Sequence, residues 1–109
     1  MTEKLRLLVV EDDSSMRKLL QDVLEKAGYE VIAFEEGRSA ERWVNSSAER
    51  IDLVLTDIQM PGLNGAELLN LVKARRPDVP VILITAFGAV DEAVRIVKSG
   101  ASHYLVKPL

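Results

Sequence analysis

Ile51-Asp52-Leu53-Val54-Leu55-Thr56, continued by Asp57-Ile58-Gln59 and broken at Met60-Pro61-Gly62, joins an apolar run of strand length to a sharp turn signal. Such a run, nearly continuous in apolar residues, suits a strand covered on both faces. An acidic residue at its carboxyl end is then placed where a sheet of this kind gathers its chemistry.

The same pattern recurs on either side. Leu5-Arg6-Leu7-Leu8-Val9-Val10 reads as a first strand, Val31-Ile32-Ala33-Phe34 as a second, Val81-Ile82-Leu83-Ile84 as a fourth and Tyr104-Leu105-Val106 as a fifth. Between them lie helical stripes. Ser14 is placed to cap a helix with Met16, Leu19, Leu20, Val23, Leu24 and Ala27 on one face, stopped by Gly28. A short helix near residues 38–47 is marked by Ala40, Trp43 and Val44. Asn64 with Glu67 reads as a capping box opening a helix through Arg75. Asp91 to Ser99 is the next helix, with Val90, Val94 and Val97 on one face and Gly100 as its stop. The order is βαβαβαβαβ, which predicts an α/β domain: a doubly wound, five-stranded parallel sheet with right-handed crossovers.

Composition narrows the function. The chain has 109 residues, room for one domain with a core of its own. Its 17 acidic against 14 basic residues give a net charge of −3, the wrong sign for direct nucleic-acid binding. With no cysteine, thiol catalysis, cysteine-based zinc sites and disulfides are excluded. No apolar run is long enough to span a membrane, and the N-terminus lacks the apolar region of a signal peptide. The reading is a cytoplasmic domain.

In doubly wound sheets, ligands bind at the carboxyl ends of the strands. Here those ends carry Glu11-Asp12-Asp13, Asp57, Thr85 and Lys107. Each has a bland reading taken alone. The acidic triplet suits a helix N-terminus, Asp57 a turn, Thr85 a cap or strand residue, and Lys107 a solvated surface. Gathered on one edge, they form a different set. Clustered carboxylates call for a cation, and hard oxygen ligands suit Mg²⁺ or, in its place, Mn²⁺. A hydroxyl and an ammonium beside them suit a phosphoryl group.

These residues resemble the receiver domain of two-component response regulators, the CheY-like fold. The resemblance rests on Leu8-Val9-Val10-Glu11-Asp12, on Leu55-Thr56-Asp57-Ile58-Gln59-Met60-Pro61-Gly62, on Ile84-Thr85-Ala86 and on the segment from Gly100 through Lys107-Pro108. It spans essentially the whole chain and implies a sheet in the order 2-1-3-4-5. It implies further that Asp57 accepts a phosphoryl group from a sensor histidine kinase. Glu11, Asp12, Asp57 and the backbone carbonyl of Gln59 would hold the metal, Asp12 directly and Glu11 through water. Thr85, the backbone of Ala86 and Lys107 would bind the phosphoryl oxygens. Thr85 and Tyr104 would form the switch that reshapes the helix 4/strand 5 face. A cis Lys107–Pro108 bond is implied too. Gln59 and Phe87 would flank the phosphoryl group. His103 reads as a surface residue and Trp43 as helix packing.

The stretch Thr85-Ala86-Phe87-Gly88-Ala89-Val90-Asp91-Glu92-Ala93-Val94 is similar to receivers of the NtrC or FixJ type, which precede transcriptional output domains. That implies transcription control through another domain. The resemblance also implies a fifth helix after Lys107-Pro108, which this chain lacks; residues 1–109 then read as a receiver truncated before it. On that reading either the chain is a piece of a longer regulator or a partner covers the bared apolar surface, and pairing with a second copy is open in both cases. Two other classes stand beside it. A haloacid-dehalogenase-type phosphatase would place a second Asp where Gln59 stands. A pseudo-receiver would keep the fold without being phosphorylated, against the complete set Glu11, Asp12, Asp57, Thr85 and Lys107.

Overall fold

The computed structural model of the chain describes residues 4–86, 90–98 and 100–107. Strands and helices alternate: β1 (Arg6–Val10), α1 (Ser14–Lys26), β2 (Glu30–Phe34), α2 (Gly37–Ser46), β3 (Leu53–Asp57), α3 (Gly65–Arg75), β4 (Val81–Thr85), α4 (Val90–Lys98) and β5 (His103–Val106). The five strands pair in parallel in the order β2-β1-β3-β4-β5. This is the sheet expected from the alternating apolar runs. The strand order reverses between β1 and β3, and such a reversal opens a crevice at the carboxyl ends.

The period of two along each strand divides the core. Leu8, Val10, Val54 and Leu83 point to one face, where Ala40 and Val44 of α2 and Leu68, Leu69 and Val72 of α3 bury them. Val9, Leu55 and Ile84 point to the other, against Leu20 of α1. The inner strands β1, β3 and β4 are thus covered on both sides, which is why they lack a polar face.

Several local readings hold and some are corrected. The capping box is present: Asn64 Oδ1 accepts from the Glu67 amide at 2.9 Å, and Glu67 Oε1 accepts from the Asn64 amide at 3.1 Å. Gly28 ends α1 at a positive φ of 99°, and Gly100 follows α4 at 132°. The α1 cap, however, is Asp13, not Ser14. Asp13 is extended, and its Oδ1 accepts from the amides of Ser15 and Met16 at 2.9 and 3.2 Å. A carboxylate one residue earlier reaches two free amides, so Ser14 becomes the first helical residue.

The α1 stripe is narrower than its spacing implied. Leu20 is buried and Met16 and Leu24 pack beside it, but Leu19 and Val23 remain 50% and 55% exposed and Ala27 is exposed too. These three lie on the flank of the stripe that turns away from Val9 and Leu55. On α4, Ile96 and Val97 pack on the core while Val94 is exposed; the side chain of Val90 lies outside the described residues, as does Ser99. The strands β3 and β4 each run one residue further than their apolar runs, to Asp57 and Thr85, because the ladder pairs Asp57 with Ile84 and Thr85 with Val106. The Arg76 guanidinium donates to Ser47 O and to Glu49 O and lies 5.4 Å over the Trp43 ring, tying the end of α3 to the end of α2. Trp43 thus serves packing.

Candidate functional site

The chemistry-bearing residues meet in a cleft of about 320 Å³ at the carboxyl edge, lined by Asp12, Asp13, Asp57, Ile58, Gln59, Thr85, Ala86 and Lys107. Glu11 lies beneath it, fully buried. Four neighbouring strands supply these groups, and backbone hydrogen bonds fix each strand end. The Glu11 amide donates to Phe34 O at 3.1 Å, the Ile58 amide to Ile84 O at 3.1 Å, and the Lys107 amide to Thr85 O at 2.8 Å.

Asp57 is 6% exposed and both its carboxylate oxygens are engaged. Oδ1 accepts from the Gln59 amide at 3.0 Å, and Oδ2 accepts from Lys107 Nζ at 2.8 Å. Lys107 Nζ also stands 3.0 Å from Glu11 Oε1 as an ion pair, while Glu11 Oε2 accepts from the Asp13 amide at 3.1 Å. One ammonium therefore bridges two carboxylates on β1 and β3. Thr85 is buried at the end of β4, its Oγ1 3.4 Å from Ala86 O, with Ala86 exposed in the cleft.

The electrostatics follow from burial. Removing Glu11 from water pushes its carboxyl up to about 7, and the nearby Asp57 carboxylate adds to the rise. The Asp13 amide and Lys107 offset part of it. For Lys107, burial alone would weaken the ammonium, but Asp57 and Glu11 outweigh it and raise its pKa.

A cation fits here on two observations. Carboxylate oxygens of Glu11, Asp12 and Asp57 lie within 4.8 Å of one another. Glu11 Oε1 is buried and accepts no well-directed hydrogen bond despite its ion pair. Buried oxygens of this kind are normally satisfied. Three carboxylates, one of them carrying such an atom, match the donor preference of a divalent magnesium-type ion.

Asp13 contributes its side chain to the α1 cap and stands outside the three-carboxylate group. Tyr104 is half-buried against the core on the α2 and α3 side of the sheet, opposite Leu83 in the ladder and away from the cleft lining. His103 is exposed, its ring 5.9 Å from that of Tyr104. Phe87 and the Lys107–Pro108 bond lie outside the described residues.

Sequence reasoning passed over Arg17. Its Nη1 donates to Glu11 O at 2.9 Å, and its Nη2 lies 3.9 Å from Glu35. It ties α1 to the end of β1 directly behind the carboxylates. A single arginine on a helix carries no sequence signal for this, because the tie depends on how α1 lies across the sheet.

Comparison with known proteins agrees with the geometry. Residues 7–109 match the family model described as "Response regulator receiver domain". The chain is 43% identical over 103 residues to the "Response regulator protein FleR" of Pseudomonas aeruginosa, covering 94% of this chain and 21% of that protein. It is 43% identical over 100 residues to the "DNA-binding transcriptional regulator NtrC" of Escherichia coli K12, covering 92% of this chain and 21% of that one. The chain thus spans about a fifth of the length of these two curated relatives. Among solved structures, a response regulator receiver domain protein from Clostridium thermocellum superposes with a TM-score of 0.90 at 33% identity, over 96% of this chain and 83% of that one.

Proposed function

The chain is a member of the response regulator receiver family, the phosphoaccepting module of two-component signalling, and from that membership we propose that Asp57 is its phosphoacceptor. The observation that carries the assignment is the bridge by Lys107, whose Nζ stands 2.8 Å from Asp57 Oδ2 in a cleft shared with Thr85 and Ala86.

In the proposed reaction an oxygen of the Asp57 carboxylate forms a bond to phosphorus as the bond to the imidazole nitrogen of a sensor histidine kinase breaks. The released imidazole keeps the electron pair. Lys107 Nζ is placed to follow the charge from the carboxylate to a phosphoryl oxygen. The Thr85 hydroxyl and the Ala86 amide are the donors proposed for the other oxygens. The Gln59 amide holds Oδ1, which leaves Oδ2 as the oxygen nearer Lys107. Glu11, Asp12, Asp57 and the Gln59 carbonyl are the proposed ligands of Mg²⁺, which supplies the positive charge that a phosphoryl dianion needs beside these carboxylates.

The chain, residues 1–109, then acts as one receiver module and catalyses only its own phosphorylation and dephosphorylation. Its proposed place is the cytoplasm, and its partners are a sensor histidine kinase and an output domain. With relatives named as transcriptional regulators, the proposed output is transcription. Contact with DNA would fall to other segments, in keeping with the net charge of −3. The phosphoryl group adds about −1.5 to −2 charge beside Thr85 and Lys107. Drawing Thr85 toward it would open room for Tyr104, reshaping the face formed by α4 and β5.

The test is intact mass after incubation with acetyl phosphate and Mg²⁺. One added phosphoryl group, absent in Asp57→Asn and in a chelated sample, is expected. Continuous release of phosphate from a generic phosphoester would instead mark a phosphatase. A folded chain that takes up nothing would be a pseudo-receiver.

A further inference from the structure

We propose that Gly65, with Gly37 behind it, is a positioning residue for Asp57: the missing side chains let two helix starts press on the loop that carries the phosphoacceptor's hydrogen bond. The inference rests on the reading of Asp57 given above.

Neither glycine is required by its backbone. The described glycines at positive φ are Gly28, Gly62 and Gly100. Gly65 and Gly37 are the first residues of α3 and α2, where alanine would form helix better. What each provides is space. A Cβ on Gly65 would stand 2.8 Å from Ile58 Cα and 3.1 Å from the Asp57 carbonyl carbon, and closer still to the Asp57 carbonyl oxygen. A Cβ on Gly37 would stand 3.0 Å from Leu63 Cβ, with the Leu63 carbonyl oxygen nearer. Two helices therefore meet backbone, not flexible side chains, at both ends of residues 58–64.

That loop has little freedom to yield. The Gly65 amide donates to Ile58 O at 2.8 Å, closing it. Ile58, Met60 and Leu63 bury their side chains inward. The α3 helix cannot retreat either, since Leu68, Leu69 and Val72 are locked in the core and Asn64 and Glu67 cap one another. Close-packed interiors transmit such strain instead of absorbing it. Restoring ordinary contact at a Gly65 methyl would move the Asp57–Ile58 peptide by up to about 1 Å. The Gln59 amide, two residues along, would move with it and lose its line to Asp57 Oδ1. Errors of about 1 Å in a reacting group cost on the order of a hundredfold in rate.

The experiment compares Gly65→Ala, Gly37→Ala and Gly28→Ala with the wild type. Gly28 has nothing within 4 Å of its would-be Cβ but a φ of 99°, so its alanine strains the fold without touching the loop. Three quantities are read: thermal midpoint, acetyl phosphate labelling rate, and Mg²⁺ affinity from amide chemical shifts in a MgCl₂ titration. Gly65→Ala is expected to lose about tenfold or more in labelling rate and several-fold in Mg²⁺ affinity, with the Gln59 amide resonance displaced in metal-free protein. Gly37→Ala should follow in the same direction by less. Gly28→Ala should lower the midpoint yet keep rate and affinity within about twofold of wild type. A folded Gly65→Ala with wild-type rate, affinity and Gln59 shift overturns the proposal. If that variant does not fold, unchanged values in Gly37→Ala overturn it; if neither folds, the glycines are requirements of the fold and the proposal fails as well. A wild type that binds Mg²⁺ but takes no phosphoryl group refutes the phosphoacceptor reading alone, and the Gln59 shift still decides the positioning role.

Discussion

Replacing Glu11 with glutamine should stabilise the metal-free protein, and only above a defined pH. Glu11 is fully buried, and its carboxyl sits at about 7 instead of 4.5, chiefly because burial penalises the charge. The groups facing it are Asp57 from β3, Asp12 and the Asp13 amide beside it, Lys107 after β5, and Arg17 of α1 on its carbonyl. Between pH 4.5 and 7 the folded chain keeps a proton that the unfolded chain has lost. Stability must then fall as pH rises through that window and level off above it. The shift corresponds to roughly 3 kcal/mol at pH 8, an order-of-magnitude figure that Glu11→Gln should recover by standing in for the neutral acid. At pH 5 the two proteins should differ far less. Urea unfolding of both, from pH 5 to 9 without divalent cations, gives the difference curve, and groups common to both proteins cancel from it. Adding MgCl₂ at pH 8 should then raise wild-type stability more than that of the variant. A difference curve that is flat in pH, or a variant less stable than wild type at pH 8, would refute the reasoning.

Two further outcomes are expected. Thr85→Ala should still gain a phosphoryl group by intact mass but lose the phosphorylation-dependent shift of the Tyr104 ring resonances; a full shift in the variant would break the proposed coupling. Asp13→Ala removes the carboxylate that accepts from Ser15 and Met16 and should cost about 1 kcal/mol, a fall of about 4–8 °C in Tm, with the labelling rate of Asp57 nearly kept.

The sheet was legible because its inner strands β1, β3 and β4 are buried on both faces. A run such as Val81-Ile82-Leu83-Ile84 has no other stable setting at that length, and its alternation with helical stripes leaves a parallel sheet as the economical packing. The site was legible for a related reason: parallel strands deliver their C-terminal residues to one edge, so Asp57 and Thr85 meet although 28 residues separate them. What stayed hidden depends on depth and direction. Leu19 and Leu20 are adjacent letters of equal hydropathy, yet one is half exposed and the other buried, because only the lie of α1 on the sheet tells them apart. The Asp13 cap was missed because serine and aspartate compete for the same role and only the backbone turn decides between them. Gly65 hid inside the capping-box motif: a glycine at a helix start reads as local chemistry, while its reason lies against a strand end eight residues earlier.

The sheet order also explains why the bridging cation is a long side chain and why the residue it passes is small. Lys107 follows β5, and the carboxylates it meets belong to β3 and β1, with β4 between. Two strand spacings of about 4.8 Å separate β5 from β3, so the ammonium must cross nearly 10 Å of sheet edge over the end of β4. The residues found there are Thr85, buried, and Ala86, both short. A larger side chain at 85 would lie across the path and lift Nζ away from Asp57. The backbone ties the same two residues, since the Lys107 amide donates to Thr85 O. On the proposed reading, any group that draws on both the Lys107 ammonium and the Thr85 hydroxyl therefore pulls on the ends of β4 and β5 as one unit. Tyr104, three residues before Lys107 on β5, is close enough along that strand to register the pull, which is how, on that reading, a charge confined to the cleft reaches the face formed by α4 and β5.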